Sequence, residues 1–144
     1  MDGVFIAYPF RQDAQAVVDG IIRPVLLGEG ILHVTGHGKQ SSSGKMLVSL
    51  RKTIANCSAI IAVVSGRNPN VFFEIGVAAS LAKPCILLAS AASDAAMLEG
   101  AYPLVLTTTA ETAMQELRQL LLSCSSLALN EDVKRAQFRE PAST

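Results

Sequence analysis

Apolar and polar residues follow one another along this chain in blocks whose period switches between strand-like and helix-like. Val4–Tyr8 is a short β-rich run closed by Pro9, and from Asp13 to Leu27 the residues Ala14, Val17, Val18, Ile21, Ile22 and Val25 fall on one helical stripe. Pro24 predicts a kink or restart near the end of that helix, after which Gly28 and Gly30 break it and Ile31–Val34 begins a second strand. Thr35–Gly44, TGHGKQSSSG, is too rich in Gly and Ser to bury a face and reads as a mobile loop before a helix over about Lys45–Ala55. Ala59–Val64 and Cys85–Ala89 are continuous apolar runs of the kind buried on both faces of a parallel sheet, and a helix lies between them. A short helix over Ala92–Leu98, a fifth strand at Leu104–Leu106 and an amphipathic helix over Glu111–Leu122 complete the pattern. That last helix turns Ala113, Met114, Leu117, Leu120 and Leu121 inward.

Strands alternating with helices over this length predict an α/β fold: an open, flavodoxin-like, five-stranded parallel sheet with helices on both faces and right-handed crossovers. The domain is expected over residues 1–124. Residues 125–144 lack a sustained stripe and end in Pro-Ala-Ser-Thr, so they read as a loosely docked or disordered tail.

Composition narrows the function classes. The chain has 144 residues, 50% of them hydrophobic, which suits one domain with a sizeable core. Twelve Lys and Arg balance twelve Asp and Glu, with no block of either sign, so no electrostatic footprint for nucleic acid or an anionic membrane is visible. The apolar runs fall far short of a membrane span and the first residues open no signal peptide, so a soluble, cytoplasmic protein is expected. Cys57, Cys85 and Cys124 are odd in number and widely spaced, which suits reduced and mostly buried thiols.

The chemistry concentrates in SGRNPN, Ser65–Asn70, between a buried strand and a helix. Asn68 is placed to cap the helix and Pro69 suits its first position. Gly66 lets a ligand approach the backbone, and Arg67 together with the first amides of the helix could hold a phosphate or a ribose hydroxyl. An ordinary capped turn with a solvated Arg is the plainer alternative. Glu74 falls at the border of the stripe formed by Val71, Ile75, Ala78 and Ala82. Burial beside Phe72 and Phe73 would raise its pKa and the helix N-terminus would lower it, and the sequence does not decide between them.

Together, VFIAYPFR at the start and IIAVVSGRNPNVFFEIGVAASLAKPCILLA in the middle resemble the TIR-like and nucleoside 2-deoxyribosyltransferase-like group, over roughly Val4–Leu122. The resemblance implies a flavodoxin-like sheet and a role for Glu74 at the anomeric carbon of a ribosyl or deoxyribosyl group. It further implies that Tyr8, Pro9, Phe10 and Arg11 frame the base, with Arg67, Asn68 and Asn70 on the sugar and phosphate side. Ser65 remains able to give a hydrogen bond. Many members carry an acid where this chain has Val63, a departure that leaves two further readings beside a glycohydrolase acting on NAD or a related nucleotide. One is a deoxyribosyltransferase-like enzyme, and the other a non-catalytic nucleotide-sensing or self-assembly module. The implied partners are a small nucleotide or nucleoside and other copies of the chain, with no cofactor beyond the substrate itself.

Other site patterns fail on spacing. Gly38–Lys45 resembles a P-loop but its first glycine is misplaced and Met46 stands where Ser or Thr is needed. No GxGxxG follows the first strand. His33 and His37 are separated by Gly36, which disfavours a helical metal pair, and no metal is expected.

Overall fold

A computed structural model describes residues 3–36 and 43–127. Five parallel strands form one sheet in the order β2-β1-β3-β4-β5, comprising β1 (Val4–Ala7), β2 (His33–Thr35), β3 (Ala59–Val63), β4 (Cys85–Ala89) and β5 (Leu104–Leu106). This is the flavodoxin-like order expected from the alternation of elements. Val4 lies opposite both His33 and Ala59, Ile61 opposite Ile86, and Leu88 opposite Val105.

The three central strands, β1, β3 and β4, are apolar throughout because both of their faces are covered, and the two-residue period of a strand divides their side chains between two cores. Val4, Ile6, Ile61, Val63, Ile86 and Leu88 point into one core. It is closed by α1 (Gln12–Val17), α2 (Arg23–Gly28) and α5 (Ala110–Leu127). Phe5, Ala7, Ile60, Ala62, Leu87 and Ala89 point into the other core. That side is closed by α3 (Ser43–Ala55), α4 (Pro69–Ser80) and the 3₁₀ segment Ala92–Leu98.

The first helical stretch differs from the sequence expectation in one respect. Instead of kinking at Pro24, the chain widens one turn earlier: Val18–Ile22 forms a π segment, and the Arg23 amide bonds to the Val18 carbonyl five residues back. Proline has no amide hydrogen and its ring crowds the carbonyl four residues before it, so a wider turn ahead of Pro24 relieves the helix without breaking it. The added residue brings Ile21, Ile22, Val25 and Leu26 all into the core.

The strand after Gly30 begins at His33 and not at Ile31, and α5 runs to Leu127, three residues beyond the expected domain edge. Residues 128–144, and most of the Gly- and Ser-rich loop, lie outside the described residues. No disulfide joins Cys57, Cys85 or Cys124; the first two are buried and the third is half-buried. No helix among the described residues is long and apolar enough to cross a membrane.

Candidate functional site

Strand order reverses direction between β1 and β3, and the loops leaving these two strands therefore diverge around a crevice at their carboxyl ends. Residues 8–11 form one of these loops and residues 64–68 the other. Both sets of residues singled out from the sequence thus meet at the topological switch point.

In the first loop Tyr8 is 6% exposed and belongs to the core beneath α1 and α5, whereas Phe10 is 77% exposed. The Arg11 guanidinium reaches back over the second loop. Its Nη2 donates to the Ser65 carbonyl at 3.1 Å, while Nε and Nη2 both donate to the Asp13 carboxylate at 2.9 Å. That hydrogen-bonded pairing raises the Arg11 pKa and holds Asp13 below the usual carboxylate range.

The second loop turns through two consecutive left-handed residues, Gly66 at φ +81° and Arg67 at φ 51°. Gly66 is required by contact as well as by conformation: a β-carbon there would run into the Arg11 guanidinium, with Cζ only 2.8 Å away. The Arg67 amide closes the turn on the Val64 carbonyl at 2.9 Å. Ser65 is buried, and its hydroxyl oxygen accepts the Ser90 amide at 3.0 Å, so it ties the ends of β3 and β4 together. Asn68 caps α4 as its position predicts, its Oδ1 accepting the Asn70 amide at 2.8 Å and the Val71 amide at 3.4 Å, with Pro69 first in the helix. Asn70 itself is exposed at the start of α4.

Glu74 is the sixth residue of α4, roughly 7 Å along the axis from its start. It is half-buried, as the stripe of Val71, Ile75 and Ala78 requires of a border position. Its carboxylate faces the end of β2: a β-carbon on Gly36 would stand 2.8 Å from Glu74 Oε2 and 2.9 Å from Cζ of Phe5. The Phe5 ring is fully buried, and the ring and the carboxylate both approach the backbone at Gly36. Burial pushes the Glu74 pKa up from 4.5 to about 7, so desolvation outweighs the helix N-terminus. Among the described residues no hydrogen bond or ion pair holds this carboxylate.

Val63, at the position where an acid was considered, is 1% exposed and packs in the core beneath α1 and α5. Three residues not singled out from sequence join the site. Gly36 permits the approach of Glu74 to β2, Ser90 anchors Ser65, and Asp94 accepts the Gly66 amide at 3.1 Å and lies 3.6 Å from Arg67 Nε. Their one sequence signal is that each follows the carboxyl end of a strand, where loops of such sheets gather ligands. Among the described residues no group of His, Cys, Asp or Glu is placed to hold a metal ion.

No protein-family model and no curated protein matches the chain. Solved structures do. A 2-deoxyribosyltransferase from Leishmania mexicana is 22% identical over 62% of this chain, with a TM-score of 0.52, and the match spans 65% of that enzyme's length. A CMP N-glycosidase from Clostridium botulinum is 18% identical, covers 79% of this chain and 96% of its own, and has a TM-score of 0.57. A 2-deoxyribosyltransferase from Bacillus psychrosaccharolyticus is 16% identical over 61% of this chain and 72% of its own, with a TM-score of 0.49. What the chain shares with the first two of these is the fold, a five-stranded parallel sheet of the flavodoxin-like class. None of these three structures is described as TIR-like.

Proposed function

We propose that this chain cleaves or exchanges the N-glycosidic bond of a nucleoside or nucleotide, with Glu74 acting at the anomeric carbon. The observation that carries the reading is the Glu74 carboxylate, half-buried beside Gly36 at the carboxyl end of β2 and held by no described partner. Such a group is partly shielded from water and, among the described residues, tied to no partner, which is the expected state of a reacting carboxylate. The deoxyribosyltransferase and CMP N-glycosidase among the structural neighbours act on bonds of this class, which supports the same choice.

The ionised oxygen of Glu74 attacks C1′ while the bond from C1′ to the base nitrogen breaks, and the bonding pair leaves with the base, which takes up a proton from solvent. The glycosyl ester then falls to water, giving hydrolysis, or to a second base, giving transfer. Phe10 offers an exposed ring against which a base can stack, and Asn70 an exposed amide near the sugar. The unit doing this is the domain expected over residues 1–124, which α5 carries on to Leu127. NAD belongs in the substrate set because its nicotinamide is cationic while bound and leaves neutral, so it asks little of a general acid. Self-association is a further part of the proposal, to be measured by sedimentation alongside activity.

The test is incubation with deoxynucleosides, nucleoside 5′-monophosphates and NAD, following free base and base exchange by chromatography. Wild-type chain is expected to release or exchange base with at least one of them, and Glu74→Gln to lose that activity while keeping its circular dichroism. Unchanged turnover in Glu74→Gln refutes the assignment. Calorimetric binding of a nucleotide without turnover at any protein concentration replaces it with the sensing module that Val63 left open.

A further inference from the structure

The loop between β3 and α4 has the backbone of an anion cradle, but the described residues fill it with the protein's own charges. The Gly66 amide, turned outward by two successive left-handed residues, donates to Asp94 Oδ2 at 3.1 Å, and the other oxygen of Asp94 lies 3.6 Å from Arg67 Nε. The Asp94 side chain is only 19% exposed, and it comes from the 3₁₀ segment after β4, a different crossover from the loop it binds. On the other side of Gly66, Arg11 is matched by Asp13 through two hydrogen bonds. The first free amides of α4 are taken by Asn68. Two guanidinium groups thus face two carboxylates, and the local charge is balanced before any ligand arrives.

We propose that Asp94 is a specificity-determining residue: it occupies the position a substrate phosphate would take, so the site selects glycosides without a 5′-phosphate over their 5′-monophosphates. This rests on the reading of Glu74 given above and names its substrate class. A phosphate monoester carries between one and two negative charges near neutral pH and would meet the Asp94 carboxylate at the amide and guanidinium it needs. Like charges brought together on the same amide and guanidinium repel, whereas a ribose hydroxyl can share these groups without displacing Asp94. The Ser65–Ser90 hydrogen bond fixes the ends of β3 and β4, and with them the bases of both loops, so the carboxylate stays aimed at Gly66.

The experiment compares the four deoxynucleosides and four ribonucleosides with their 5′-monophosphates, for wild-type chain and Asp94→Asn, measuring kcat and KM for base release. Wild type is expected to favour the unphosphorylated partner by at least about tenfold in kcat/KM. Asp94→Asn, which keeps the shape and removes the charge, should narrow that ratio at least tenfold, through KM for the monophosphate. A wild-type preference for monophosphates, or a ratio unmoved by Asp94→Asn, overturns the inference and leaves the glycosidase reading standing. If neither class is cleaved, that reading has failed, and binding decides the inference separately. NMR titration with ribose and ribose 5-phosphate should then show wild type favouring ribose and Asp94→Asn gaining affinity for ribose 5-phosphate. Equal or tighter ribose 5-phosphate binding by wild type, or no binding of either sugar by either protein, rejects it.

Discussion

Replacing Glu74 by Gln removes one ionisable group and almost no volume, so any pH dependence in the stability difference between the two proteins belongs to that carboxylate. Its pKa is about 7 in the folded chain against 4.5 for the ordinary group, and burial is the cause, with no charged partner contributing. A raised folded-state pKa means that the native protein holds the proton more tightly than the unfolded chain does. The stabilising contribution is then complete below about pH 4.5 and is lost as pH rises through about 7. The full difference corresponds to about 3 kcal/mol, of which about 2.5 kcal/mol develops between pH 5 and pH 8. Urea denaturation followed by far-ultraviolet circular dichroism at both pH values measures this directly, because other titrating groups are common to both proteins and cancel. Glu74→Gln should gain on wild type by that amount on going from pH 5 to pH 8, a midpoint displacement of about 1 M for a slope of about 2 kcal/mol per M. A gap that stays constant within about 0.5 kcal/mol would show that Glu74 is solvated in the native state, and the basis for its chemical role would go with it.

Two further outcomes follow from the same contacts. Gly36→Ala places a methyl group against Glu74 Oε2 and the buried Phe5 ring; only the carboxylate can swing aside, so we expect a loss of about 1–3 kcal/mol in thermal or urea unfolding together with a fall in base release. Wild-type stability and turnover in that variant would contradict the close approach. If Glu74 reacts as the ionised nucleophile, kcat/KM should rise with pH to a plateau with a midpoint near 7. A rate that instead falls across that interval would mark the protonated form as the active one.

The sheet was legible because its central strands are uninterrupted apolar runs, and in a two-faced sheet hydrophobicity alone marks such strands. Which core each side chain enters, Ile6 one and Phe5 the other, came only with the structure. The cap at Asn68 and Pro69 was equally local and therefore readable. The environment of Glu74 was not: its border position shows on a helical wheel, but the balance between burial and helix dipole depends on Phe5 and Gly36, which arrive from two other strands. Asp94 escaped for the same reason, since it acts on Gly66 from 28 residues further along the chain, and no periodicity connects the two. The π segment was hidden because Pro24 signals a disturbance without saying on which side of itself the helix will yield.

That widened turn makes Val18–Ile22 a place where chain length is negotiable. A deletion of one residue there would take the extra residue back out and restore an ordinary helix, while everything after it kept its present facing. Leu26 would stay buried and Leu27 exposed. Descendants of this chain that lack one residue within Val18–Ile22 should therefore keep the same alternation of apolar and polar residues over positions 23–28, with the strands and their loops in register.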